Sequence, residues 1–201
     1  MATDEPRYRL VVLGAGRVGK SSVVSRLLSG RFSDSYRPTV EDLHCREFSV
    51  SGSTIKLDIL DTAGNLEFPA MRRLSISTAN AFLLVFAVDS RDSFETVKEL
   101  WEQIRDLRGS NYRDLPCVVV ANKCDIVASR LMAMDVTADW SRDQGLETAV
   151  VEVSHGVRVF RVEPAVAEVS DGVRVFIVET AVVEVSHGVK VFGQPVSRTL
   201  S

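Results

Sequence analysis

Gly14-Ala15-Gly16-Arg17-Val18-Gly19-Lys20-Ser21 decides the fold. The octapeptide fits G-x-x-x-x-G-K-[ST] at every position. Before it stands Tyr8–Leu13, YRLVVL, an apolar run rich in valine and leucine that reads as a buried strand. After it comes SSVVSRLLSG, with helical apolar spacing and a glycine stop. Strand, glycine loop and helix in that order make a phosphate cradle. Glycines let backbone N–H groups wrap phosphate oxygens where a side chain would block the approach. The helix N-terminus adds a partial positive charge. Lys20 is placed to reach the β- and γ-phosphates, and Ser21 to put its hydroxyl on a magnesium ion, Mg²⁺. Gly14 to Ser21, with Ser22 behind them, are therefore the candidate phosphate-binding residues.

Working outward, strands and helices alternate. Phe48–Val50 and Ile55–Leu60 flank Ser51-Gly52-Ser53, a hairpin pattern in which Lys56 and Asp58 alternate with apolar neighbours. Ala81–Val88 and Cys117–Ala121 read as further buried strands. A helix is expected from Asp92-Ser93-Phe94-Glu95, with Asp92 as its cap and Glu95 three residues on. Val97, Leu100, Trp101, Ile104 and Leu107 share one of its faces. Asp135–Gln144 reads as another helix, with Trp140 on its apolar side. Such alternation implies a parallel sheet with helices on both faces.

Asn122-Lys123-Cys124-Asp125 directly follows the strand CVVVA, about 100 residues after the glycine loop. An aspartate at 125 can accept from the N1–H and 2-amino group of guanine. Adenine has no such donor pair and would leave the carboxylate unpaired.

In these residues the chain resembles the Ras superfamily of small GTPases over about Arg7 to Ser154. The phosphate loop, Tyr36-Arg37-Pro38-Thr39-Val40-Glu41-Asp42, Asp61-Thr62-Ala63-Gly64 and Asn122-Lys123-Cys124-Asp125 stand in the family's order and spacing. Phe68-Pro69-Ala70-Met71-Arg72-Arg73-Leu74-Ser75-Ile76 is most similar to the Di-Ras and Dexras/Rhes branches. The resemblance implies a doubly wound α/β domain with a six-stranded, mostly parallel sheet. It implies GTP and GDP as ligands, with Mg²⁺ held by Ser21, Thr39 and, through water, Asp61. Phe32 would stack on the guanine, and Asn122, Lys123 and Asp125 would bind the base. The backbone N–H groups of Thr39 and Gly64 would sense the γ-phosphate, whose loss would release both segments. Effectors would dock on Tyr36–Asp42, with exchange factors and GTPase-activating proteins as further partners. Lys20, Thr39, Gly64 and Asn65 would be the catalytic set.

Two positions depart from the family's pattern in ways that touch chemistry. Asn65 stands where fast members carry the glutamine that orients the attacking water. Its amide sits on a stem one methylene shorter, and small misplacements are costly in rate. Slow intrinsic hydrolysis and a long-lived GTP state are expected. Arg17 stands where Ras has glycine; it is read as tolerated in the loop or as an aid to nucleotide retention, and not as a catalytic arginine.

The C-terminal quarter is the larger departure. ETAVVEVSHGV occurs at Glu147–Val157 and again at Glu179–Val189, with EPAVAEVSDGV at Glu163–Val173 between them. The copies start 16 residues apart, at 147, 163 and 179. In the family a Ser-Ala-Lys loop after the last strand touches the guanine oxygen. Here Ser154 is followed by His155-Gly156, so the backbone N–H of His155 is available but the lysine is absent. The family's long closing helix is also absent from the pattern, which shows no helical stripe after Val157. Each copy reads instead as a β-hairpin around a Ser-His-Gly or Ser-Asp-Gly loop. Glu152 then faces Arg158, Val151 faces Val159, Glu168 faces Arg174 and Glu184 faces Lys190. The tail is either a β-appendage or self-assembly module, or an expanded tandem repeat or faulty gene model without a role of its own. Loss of the helix would leave apolar sheet surface bare.

Composition bounds the rest. A chain of 201 residues with net charge −3 suits one domain with an appendage and argues against a nucleic-acid partner. The division expected is a GTP-binding domain at 1–156 and a tail at 157–201. Three scattered cysteines, Cys45, Cys117 and Cys124, form neither a disulfide framework nor a zinc spacing. PVSRTLS at Pro195–Ser201 carries no prenylation cysteine, so no lipid anchor and a cytoplasmic location are expected. The function expected is a guanine-nucleotide switch with slow GTP hydrolysis. The alternatives are a near-permanently GTP-bound interaction module and a chain disrupted by its tail.

Overall fold

The computed structural model describes residues 7–29, 36–50, 53–64, 69–126, 131–132, 134–150, 160–161, 167–169, 173–178 and 181–183. Six strands build the sheet that the sequence implies: β1 (Arg7–Leu13), β2 (Glu41–Val50), β3 (Ser53–Thr62), β4 (Ala81–Ala87), β5 (Cys117–Asn122) and β6 (Glu147–Val150). A two-residue seventh, β7 (Phe160–Arg161), pairs antiparallel to β6, so the expected count of six is corrected to seven. The order is β2-β3-β1-β4-β5-β6-β7. Pairs β1–β3, β1–β4, β4–β5 and β5–β6 are parallel, while β2 folds back on β3 as a hairpin. The order reverses at β1, which puts a crevice at its carboxyl end, where ligands bind in sheets of this kind.

Helices α1 (Lys20–Ser29), α2 (Pro69–Thr78), α3 (Arg91–Arg108) and α4 (Met134–Asp143) connect the strands. Alternate residues of one strand serve opposite faces. Phe82, Leu84 and Phe86 of β4 pack with Ile76 of α2 and with Phe94, Trp101 and Ile104 of α3. Phe94 lies 5.0 Å from Phe86 and meets Trp140 of α4 edge-on at 5.4 Å, ring centre to ring centre, which puts Trp140 on the apolar side as expected. Leu83 and Val85 turn the other way, into a cluster with Leu10 and Val12 of β1 and Val24 of α1. Without the family's closing helix, apolar sheet surface is expected to be bare. Among the described residues of this second cluster the sheet is covered: Val118 is 7% exposed, Val120 3% and Val85 0%.

Two local readings are corrected or extended. The cap of α3 is Ser90 and not Asp92: Ser90 has extended backbone (φ −142, ψ 105) and its side chain accepts from the Ser93 N–H. Asp92 sits in the first turn, where its charge complements the helix dipole. Helix α2, over Pro69–Thr78, has no counterpart in the sequence reading.

Beyond β6 the described residues are strands. β8 (Ala167–Val169), β9 (Val173–Val178) and β10 (Ala181–Val183) form a separate antiparallel sheet. Glu168 faces Arg174 and Val169 faces Val173, the register expected of the second repeat copy. In the first copy, Val150 faces Phe160 and Ala149 faces Arg161, which continues the register expected for Glu152 with Arg158. The expected pairs Glu152–Arg158, Val151–Val159 and Glu184–Lys190 lie outside the described residues, as do the turn at Ser51-Gly52 and the loop residues Ser154 and His155.

Candidate functional site

The carboxyl ends of β1, β3, β4 and β5 converge. From β1 the chain enters the loop Gly14–Gly19, and only certain backbones fit there. Gly14 has φ +148, and a Cβ on it would lie 2.1 Å from the Val85 carbonyl oxygen of β4. Gly19 has φ +96, and a Cβ there would lie 2.3 Å from the side-chain amide nitrogen of Asn122. That amide, at the end of β5, donates to the Val18 carbonyl at 2.8 Å. One buried hydrogen bond thus ties the glycine loop to the Asn122–Asp125 segment. Arg17 has φ 62, a left-handed backbone that favours glycine.

Lys20, the first residue of α1, is 6% exposed. Its ammonium curls over the loop and donates to the carbonyls of Gly14 at 3.0 Å and Ala15 at 2.8 Å. Burial lowers its pKa to about 8, against the pull of the Asp61 carboxylate. An anion bound beside the ammonium would favour its charged form.

Ser21 and Thr39 arrive from α1 and from the segment before β2, and their hydroxyls lie 2.7 Å apart. Asp61, near the end of β3, is 1% exposed, and neither of its carboxylate oxygens accepts a hydrogen bond of good geometry. Burial raises its pKa; the nearby Ser21 hydroxyl, Lys20 and His44 oppose the rise, and Asp42 adds to it. A buried carboxylate without partners beside two hydroxyls is a costly arrangement in isolation. The set has the chemistry of a site for a hard cation with oxygen ligands.

Gly64 closes one side of the loop. A Cβ on it would lie 2.4 Å from the Gly16 Cα, so the Asp61–Gly64 turn rests directly on the loop. On the base side, Lys123 also has a left-handed backbone, φ 64, and its ammonium pairs with Asp89 at 3.2 Å. Asp89 escaped the sequence reading, although it directly follows the buried run Ala81–Val88 at a strand's carboxyl end. Asp125 is exposed at the rim. The structure therefore brings together Gly14, Ala15, Gly16, Arg17, Val18, Gly19, Lys20, Ser21, Thr39, Asp61, Gly64 and Asn122, with Lys123 and Asp125 alongside. Phe32, Asn65, Ser154 and His155 lie outside the described residues.

The sequence matches the Ras family over residues 9–170. It is similar to GTP-binding protein Rhes of Mus musculus, 53% identical over 124 residues, covering 59% of this chain and 47% of the relative. Rhes of Homo sapiens is 52% identical over 124 residues, with the same coverage. GTP-binding protein Di-Ras2 of Pongo abelii is 49% identical over 123 residues, covering 61% of each chain. The chain spans about half of the Rhes relatives and three-fifths of the Di-Ras2 relative.

Proposed function

Because the chain belongs to the Ras family, we propose that it is a guanine-nucleotide-dependent signalling switch that binds GTP and GDP and hydrolyses GTP slowly. The observation that carries this reading is the buried bond from Asn122 to Val18. It fixes the distance between a phosphate cradle and a guanine-reading segment, which is what a single nucleotide spanning both requires. Asp125 would take the N1–H and 2-amino group of guanine. Lys20 and the loop N–H groups would hold the β- and γ-phosphates. Ser21, Thr39 and Asp61 would hold Mg²⁺, which when bound offsets charge on the phosphate oxygens.

Thr39 meets Ser21 and Gly64 rests on Gly16, and both segments would tighten on a γ-phosphate and relax without it. The outer surface of the first is apolar and open: Val40 is 83% exposed and Tyr36 57%. Met71 and Leu74 of α2 are exposed as well. Effector proteins would dock on Tyr36–Asp42, and exchange factors and GTPase-activating proteins would act on the same two segments. A cytoplasmic place and a tail at 157–201 outside the nucleotide machinery complete the proposal.

Slow hydrolysis rests on the short stem of Asn65. Single-turnover GTP hydrolysis tests it. Asn65→Gln should raise the rate at least tenfold, and a rate that stays put would remove the claim while leaving nucleotide binding intact.

A further inference from the structure

Two contacts tie the segment before β2 to the phosphate loop. One is the Ser21–Thr39 hydroxyl pair already described. The other lies three residues earlier on the segment and four earlier on the loop. The Arg17 guanidinium carbon sits 5.2 Å from the centre of the Tyr36 ring. That is within the range in which a guanidinium is drawn to an aromatic face. We propose that Arg17 is a positioning residue that pins Tyr36 across the mouth of the phosphate loop and thereby slows nucleotide release. The inference rests on the guanine-nucleotide reading above.

Three features point this way. Arg17 occupies a left-handed backbone, φ 62, at a cost that asparagine or glycine would largely avoid. That conformation aims its side chain out of the loop and at the ring. Both partners are exposed, so neither is needed to fill the core. A guanidinium is also well suited to the task, since its flat, weakly hydrated face stacks on an aromatic ring more readily than a compact ammonium does. With Thr39 held at the other end, residues 36–39 form a strap fastened at two points. A nucleotide leaving the cradle must wait for both to open.

The test is the dissociation rate of N-methylanthraniloyl-GDP from the full chain in magnesium buffer, chased with excess GDP. Arg17→Asn removes the cation yet tolerates the left-handed backbone. It should release the probe about twofold to fivefold faster than the native chain, the scale of an exposed cation–aromatic contact. Tyr36→Leu should do the same, and the double variant should be no faster than either alone. Arg17→Lys and Tyr36→Phe, which keep cation and ring, should release more slowly than Arg17→Asn and Tyr36→Leu. No variant of the set should melt lower than the native chain, because the pair supports no core packing, and Arg17→Asn should melt slightly higher because asparagine suits the left-handed backbone. Additive effects in the double variant, or unchanged release in Arg17→Asn, would overturn the strap while leaving nucleotide binding in place. A native chain that binds no probe would overturn both the strap and the guanine-nucleotide reading.

Discussion

The side-chain amide of Asn122 donates to the Val18 carbonyl at 2.8 Å, across 104 residues of sequence. The same amide nitrogen stands where a Cβ on Gly19 would have to be. Loop and base segment are therefore built as one piece. Asn122→Ala removes the donor and leaves a buried carbonyl unpaired, which costs about 1–3 kcal/mol. We expect nucleotide affinity to fall roughly tenfold to a hundredfold, beyond any loss of fold stability. Titration by fluorescence alongside a thermal melt separates the two, and an unchanged affinity would show that the tie is not needed.

The Ser21–Thr39–Asp61 set predicts a strong dependence on divalent cation. Chelating Mg²⁺ should speed release of bound GDP by tenfold or more in the native chain. Ser21→Ala and Asp61→Asn should release fast with or without the metal. Asp61→Asn should also raise thermal stability of the metal-free chain, since it removes a buried carboxylate without partners. A melt that falls instead would mean Asp61 is compensated within the protein.

Lys20 gives a dependence on pH. Its folded pKa is lowered to about 8, and burial is the cause. A bound phosphate favours the charged ammonium and raises that value. The complex then binds more protons than the free protein at pH values above about 8. Affinity should accordingly be flat below pH 8 and fall as pH rises through it, by up to tenfold per unit. Lys20→Gln should bind weakly with no such slope between pH 7 and 9. A native profile that is level across this range would contradict the assignment of Lys20 to the phosphates.

Glycine replacements should separate conformation from space. Gly145 has φ +71 with nothing within 4 Å of an added Cβ, so Gly145→Ala should cost about 1–2 kcal/mol from backbone strain alone. Gly14→Ala adds a collision with the Val85 carbonyl at 2.1 Å and should cost several kcal/mol more, or prevent folding. Equal melting temperatures for the two would mean that the loop moves away from β4.

Much of the site was legible because its chemistry is local in sequence. The loop needs glycines at fixed offsets, and Asn122 to Asp125 sit together after one strand. The central strands were legible for the same reason, as continuous apolar runs buried on both faces. What escaped depends on tertiary position. Asp89 becomes a partner of Lys123 only when β4 and β5 lie side by side. Asp92 fits a capping pattern, yet Ser90 wins because its backbone is extended at the point where the helix begins. Helix α2 opens on Pro69, a helix-start signal that the hydrophobic spacing alone does not reveal, and packs through Ile76. The repeat was legible as hairpins because opposite charges and paired valines fix a register, and Glu168 facing Arg174 follows from it. Burial of Val118 and Val120 was not, since a missing helix says nothing about what else covers a sheet.

The most direct test is to identify the nucleotide carried by the whole chain, purified in magnesium buffer, denatured and separated by chromatography. The account predicts about one guanine nucleotide per chain, with GTP forming a substantial share because Asn65 makes hydrolysis slow. A chain that carries none, and takes up neither GTP nor GDP when they are added, would contradict it.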